Sequence, residues 1–425
     1  MRYLLKNYGS FYLTFILLLI VGRFSPILFY GSFTLFQLFL IRRGRTIEQF
    51  ISLITIIFLS DGPVFYEFTD SYKVVMLLLT FLNFYKLKGF SSLSKDMLIF
   101  IPFALLAVFG SFNSDDVSIS IQKSVSYCLG LLLFYNLINI ADLKEKLPEF
   151  LSLIIFTAFL ILLSGHVLKF FFGNMFLLVE GRYNGMMRNP NGLGLFSLLF
   201  FILLFSLNRI KILIFSNTDI IIIGLLIILN IIMSGSRNSL FGTIVFLVFY
   251  RFNKIHPIIT ILAFVVFLYL NAFYEQIIGF VASTFGLEEY LRIDTVKEAS
   301  GRIVAWEFIY ERLSIFDYFG RGFYSTELLF TKYRMQLSVL GHQGNAHNSF
   351  LTLWYDTGLL GVLLLLIGFM SLFLKLEKSI YVGIPAMFTI FFLAFFESWL
   401  AGSLNPFTPM LLLLLSLNNV KYNRT

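Results

Sequence analysis

Long apolar runs follow one another almost without relief, among them FYLTFILLLIVG, IIIIGLLIILNIIM and VLLLLIGFMSLFL. Lipid offers no hydrogen bonds, so a chain crossing it must pair its backbone N–H and C=O groups internally, as helices or as a closed barrel. The runs lack the alternation of barrel strands, which predicts an all-α polytopic transmembrane protein. Of 425 residues, 58% are hydrophobic and 13% charged, against about 25% charged in soluble domains. One helical membrane domain therefore accounts for nearly the whole chain. The apolar stretch after MRYLLKNYGS lacks a small-residue cleavage site and reads as a first membrane helix, not a removed signal peptide.

The net charge of +8 comes from Lys and Arg scattered at the ends of apolar runs. That is where anchors facing anionic lipid belong, and it excludes nucleic acid as a partner. Cys128 is the only cysteine, so no intrachain disulfide forms and no cysteine-based metal site is expected. Basic clusters at Arg2/Lys6, Arg42/Arg43/Arg45 and Lys86/Lys88/Lys95 alternate with acidic connections at Asp61/Glu67/Asp70 and Asp115/Asp116. Continued along the chain, the alternation predicts both termini inside and an even number of crossings, about twelve and up to fourteen. Several runs are short, as half of a broken helix or a partly inserted one would be.

The organisation expected is N-terminal transmembrane helices over 1–273, an outward loop over 274–348 and C-terminal transmembrane helices over 349–425. Loops of such length usually carry function. Within this one, Ser300 is a good N-cap for GRIVAWEFIYERL, where Ile303, Trp306, Tyr310 and Leu313 recur at helical spacing. The pattern predicts an amphipathic helix on the outer membrane surface with Arg302 in its first turn.

Charged groups at membrane depth are candidates for function by default. Arg237, in NIIMSGSRNSLFG, fits either a ligand site or a tight turn whose arginine snorkels to headgroups. Arg182 and Arg188 flank a capped helix start in EGRYNGMMRNPNGLG, with Asn189 or Asn191 as cap. Helix starts beside arginines suit phosphate or pyrophosphate, and equally a solvated turn. His347 stands where the long loop re-enters the membrane, fit either for general-base work or for starting a helix. Asp356 and Glu397 are boundary carboxylates able to share the base role, with no spacing to rank them. No metalloprotease, nucleotide-loop or cysteine-cluster motif is visible, against an ATPase, a metalloprotease or a sugar-nucleotide enzyme.

Together these elements resemble the bacterial O-antigen polymerases and O-antigen ligases. SGRIVAWEFIYERL, FGRGF and then His347-Asn348, nine residues, Gly358, two residues and Gly361 are similar to the family's C-terminal signature. SGSRNSL resembles its membrane-end arginine motif and GRYNGMMRNPNGLG its earlier glycine- and asparagine-rich motif. The resemblance covers about Gly181 to Gly361. It implies a membrane glycosyltransferase of the bacterial inner membrane with its active site on the periplasmic face. The implied donor is a glycan on undecaprenyl pyrophosphate, with a glycan acceptor and membrane lipid as further partners and a chain-length regulator as a possible one. Catalytic roles fall on His347, Arg302 and Arg237, and substrate binding on Arg182, Arg188, Asn191 and Asn348. Inversion without cofactor or metal is implied. The NPN segment and the loop's near-balanced charge favour polymerase over ligase. A lipid-linked glycan transporter is the competing class, disfavoured because no paired half is visible early in the chain.

Overall fold

The computed structural model describes residues 1–88, 93–173, 181–253, 302–313, 318–340 and 344–420, with scattered positions between 256 and 288. In chain order the first helices are α1 (Arg2–Phe24), α2 (Pro26–Arg42), α3 (Thr46–Leu59), α4 (Tyr66–Lys88), α5 (Ile101–Gly110), α6 (Val117–Asn136), α7 (Ala141–Glu145) and α8 (Leu147–Phe172). Then come α9 (Pro190–Arg209), α10 (Asn217–Ser234), α11 (Arg237–Asn253), α12 (Arg302–Tyr310), α13 (Ser325–Lys332), α14 (Arg334–Val339), α15 (Ser349–Ile380), α16 (Gly383–Phe396) and α17 (Phe407–Ser416). Among the described residues, seven helical stretches are long and apolar enough to cross a membrane and four more are apolar but shorter. The protein is thus the polytopic helical membrane protein that its hydropathy predicts.

Local chemistry sets the boundaries. Ser25 caps α2 through Leu28 N–H, with Pro26 in the first turn, so the chain reverses in a single residue after α1. Ser216 and Asp219 form a reciprocal capping box at the start of α10, and Gly235 in the left-handed region ends that helix.

The chain forms two compact units. The first comprises Met1–Lys95, Leu129–Ser236 and Leu404–Thr425. Two of its short helices are its most buried: every residue of α3 and of α17 is enclosed. At 14 residues, α3 is only about 21 Å long, against a hydrocarbon core of about 30 Å. The shortfall is tolerated because α3 packs on α2, α4 and α8 and presents no backbone to lipid. It is a helix enclosed by protein along its whole length.

The second unit comprises Asp96–Cys128 and Arg237–Ser403. Within it α12 is present, and the stripe it buries against protein lies beside the Ile303/Tyr310 positions that spacing assigns to the membrane surface. Ala305 and Ile309 are fully enclosed, in a cluster with Phe330, Leu337, Ala346, Leu351 and Tyr355, and Trp306 and Leu313 pack alongside. Ile303 and Tyr310 are 45% and 54% exposed. The helix serves a small core of the loop's own, which takes the narrow Ala305/Ile309 stripe. The expected Ser300 cap lies outside the described residues.

Candidate functional site

The second unit gathers the loop helix, the start of α15 and the end of α16 around one carboxylate. Glu397 is the residue at which α16 stops, its backbone already extended. Its Oε1 accepts a 2.8 Å bond from Arg302 Nη2, and its Oε2 lies 3.4 Å from His347 Nδ1. Arg302 is held by the first turn of α12, whose Trp306 indole donates to Ala346 O at 2.9 Å and so ties the helix to the residue before His347. Burial pushes the Glu397 carboxyl up. The hydrogen bond from His347 and the charge of Arg302 outweigh it and hold the group below the ordinary glutamate value.

His347 sits in the left-handed region, φ 46°, uncommon for a residue with a side chain. The strain is offset by neighbouring bonds: His347 N–H donates to Asn345 Oδ1 at 2.9 Å and Asn348 N–H to Ser398 Oγ at 2.9 Å. Asn348 caps α15, its Oδ1 accepting from Phe350 and Leu351 N–H. Ser349 Oγ donates to Glu397 O at 2.6 Å and accepts from Trp399 and Leu400 N–H. Residues 347–349 and 397–400 are therefore stitched together through side chain and backbone alike. A Cβ at Gly344 would come within 3.6 Å of His347 Nε2, the ring edge away from Glu397.

The glycines of the signature have a structural cause. At Gly358, φ 71° and ψ 174°, α15 is broken, a conformation essentially reserved for glycine. The FGRGF segment fills the break: Arg321 and Gly322 N–H donate to the carbonyls of Tyr355 and Asp356 at 3.0 and 2.9 Å, and Leu360 N–H donates to Tyr318 O. A Cβ on Gly358 would run into the Tyr318 carbonyl. Asp356 secures the same joint, its carboxylate accepting from Tyr324 N–H, Thr326 N–H and Thr326 Oγ. The two unranked carboxylates thus separate: Asp356 is consumed by a backbone joint, while Glu397 meets Arg302 and His347. Sequence reasoning lacked this because Glu397 lies 50 and 95 residues from its partners.

Arg237 opens α11, which packs closely on α16. Asn253 Nδ2 donates to Glu377 Oε1 at 2.7 Å, and Glu377 Oε2 accepts from Ile384 N–H at the start of α16. Phe249 meets Phe388 at 5.3 Å. The pair is therefore antiparallel. At 1.5 Å per residue, Arg237 lies about 18 Å beyond Phe249 and Glu397 about 14 Å beyond Phe388. Arg237 thus stands at the Glu397 end of the unit, within about one helical turn in height.

Arg182, Arg188 and Asn191 belong to the first unit. Arg182 donates through Nε to Ser234 O at 3.0 Å and through Nη2 to Asn191 Oδ1 at 2.7 Å. Asn189 is the residue that caps α9, its Oδ1 accepting from Gly192 N–H. Arg188 is exposed beside the Tyr66 ring. An anion does stand near this helix start, and it is the chain's own: Asp61, in the turn between α3 and α4. Burial pushes its carboxyl up to about 6, against the lowering effects of Arg188 and Lys73.

Fold and site together define a multi-pass helical membrane protein with a polar centre made by the start of α12, the start of α15 and the end of α16. Residues 194–366 match the family model described as O-Antigen ligase, which supports the O-antigen polymerase/ligase superfamily recognised in the sequence. The matched segment contains Arg237, Arg302, His347, Asn348, Gly358 and Gly361, and it stops short of Glu397. No curated protein matches the chain.

Proposed function

We propose that this protein is an O-antigen polymerase of the bacterial inner membrane, transferring a glycan from undecaprenyl pyrophosphate to a sugar hydroxyl of another lipid-linked repeat on the periplasmic face. The observation that carries the reading is the Glu397 carboxylate, which joins Arg302 to His347, both of them inside the segment that matches the family. Lipid-linked substrates follow from the family and from the membrane setting. The outward placement of the loop and the cytoplasmic placement of both termini follow from charge alternation.

The chemistry assigned to each group follows from its setting. Glu397, ionised, favours the tautomer with the proton on His347 Nδ1, which leaves Nε2 as an acceptor. Nε2 takes the proton of the acceptor hydroxyl as its oxygen bonds to the anomeric carbon. The bond from that carbon to the pyrophosphate oxygen breaks on the opposite face, so the centre inverts. The 3.4 Å separation of His347 and Glu397 is of the length such pairs show before substrate arrives. Arg302 commits Nη2 to Glu397 and lies over the Phe396 ring, and its fork carries five donors in all. With Arg237 it would bind the pyrophosphate and stabilise its developing charge. Asn348 sets the start of α15 beneath His347, while the proposal of substrate binding for Arg182, Arg188 and Asn191 rests on the resemblance alone.

The test is genetic. With the gene deleted, lipopolysaccharide run on a gel should carry a single repeat on the core. A bare core with lipid-linked polymer accumulating would assign the protein as a ligase instead, and an unchanged ladder would overturn both assignments.

A further inference from the structure

Helices α13 and α14 have eight and six residues, about 12 and 9 Å, far too short to cross a bilayer. They nevertheless carry one of the most exposed apolar surfaces in the chain. Met335 and Val339 are each 86% exposed and Leu340 62%. On a helix, positions 335 and 339 share a face, and they point directly away from Leu337, the residue of α14 that is buried. Patches of this kind on extramembrane segments need a covering surface.

The place of that patch in the fold is fixed by what Leu337 touches. It belongs to the cluster that includes Ala346, Leu351 and Tyr355. Leu351 and Tyr355 lie in the first two turns of α15, a helix long and apolar enough to span the membrane. The inner face of α14 thus rests against the N-terminal turns of a helix long and apolar enough to span the membrane. Lys332 and Arg334, both exposed, flank the apolar face, as cations do on helices that lie in an anionic interface.

We propose that α14 is an interfacial anchor: Met335, Val339 and Leu340 sit in the outer leaflet, and Lys332 and Arg334 meet anionic headgroups. The neighbouring α12 is held to the same cluster through Ala305 and Ile309. The anchor would pin the loop core, and through Ala346 the His347 segment, at headgroup depth. It does not depend on which reaction the site performs.

The single cysteine makes the test direct. In a Cys128→Ser background, Val339→Cys is labelled with an environment-sensitive nitrobenzoxadiazole and the full chain is reconstituted in phosphatidylethanolamine/phosphatidylglycerol vesicles. Glu327→Cys, an exposed acidic position on α13, is the aqueous reference, and Leu340→Cys is a second reporter should the Val339 variant be poorly produced. Blue-shifted emission at 339 or 340, quenched by lipids spin-labelled near the headgroup and shielded from aqueous iodide, is expected, with the reverse at 327. Replacing phosphatidylglycerol by phosphatidylcholine should weaken the lipid quenching at 339. Iodide access at 339 equal to that at 327 would overturn the proposal. So would a label shielded from iodide and from lipid quencher alike, which would mean that a second protein surface covers the helix.

Discussion

Replacing Glu397 by glutamine keeps the shape of the side chain and removes its charge, so it isolates what the carboxylate does for its two partners. The Arg302 contact at 2.8 Å becomes a bond to a neutral amide, and the 3.4 Å approach of His347 Nδ1 loses its electrostatic component. The carboxylate is 17% exposed, so solvent screens it only in part. A hydrogen bond to a charged group contributes about 1.5–3 kcal/mol, and losing it from the transition state lowers the rate about 10- to 150-fold. The backbone ties of this segment use Glu397 O, Ser398 Oγ and the N–H groups of Trp399 and Leu400, none of which changes. Glu397→Gln should therefore reach the membrane in normal amount and fail in transfer. The assay is a purified, reconstituted enzyme elongating a polyprenyl-pyrophosphate-linked repeat, read across pH. Because the Glu397 carboxyl is held below its ordinary value, its contribution is complete above the unfolded carboxylate range, about 4.3. It is lost only as pH falls through the lower folded value. An acid limb above about pH 5 therefore belongs to another group. Transfer within about threefold of the parent would refute the coupling of Glu397 to His347.

Arg237→Lys keeps the charge and loses the planar two-bond grip on pyrophosphate oxygens. Transfer should fall about 30- to 150-fold in the reconstituted assay, and near-normal product would favour a snorkelling arginine. His347→Ala should leave abundance and binding of the polyprenyl pyrophosphate donor intact while transfer drops about 100- to 10,000-fold. A degraded protein, or one transferring within about threefold, would make His347 a structural residue. Gly358→Ala should act on folding, since the new Cβ meets the Tyr318 carbonyl in a backbone conformation costing about 1–3 kcal/mol for other residues. Membrane abundance is the measurement, and normal abundance with normal activity would disprove a rigid joint there.

How far the sequence carried the reading depended on whether a feature was local. Apolar runs with charges at their ends are local, and they predicted the helices. Asn189 and Pro190 at the start of α9 and Asn348 at the start of α15 are local capping chemistry and stand where their spacing puts them. The buried face of α12 was not legible. Helical spacing finds the apolar positions around a helix, but the choice between the Ile303/Tyr310 side and the Ala305/Ile309 side is made by Phe330, Leu337 and Leu351, which arrive from later in the chain. The enclosure of α3 is tertiary in the same sense, because a 14-residue apolar run reads alike whether lipid or protein surrounds it. Glu397 illustrates the limit most sharply: an acid at the end of an apolar run is an ordinary boundary residue until the fold brings Arg302 and His347 to it.

The fixed spacing between His347-Asn348 and Gly358 has a mechanical reason in this fold. The top of α15 is fastened at Ser349, whose hydroxyl bridges Glu397 O and the N–H groups of Trp399 and Leu400. Its lower end is fastened at Asp356 and Gly358, where FGRGF enters the break and the Asp356 carboxylate holds residues 324–326. The helix between is a rod clamped at both ends. One residue added or removed turns one clamp against the other by about 100° and shifts it by about 1.5 Å, enough to carry His347 away from Glu397 or to pull Gly358 from the segment that fills the break. A rigid rod suits the reading of His347 as a reacting group, because a displacement of about 1 Å at the site can cost 100-fold in rate. The nine residues between Asn348 and Gly358 need no chemistry of their own for the spacing to matter. They set the distance and the angle at which the loop's core, the break and the Glu397 segment meet.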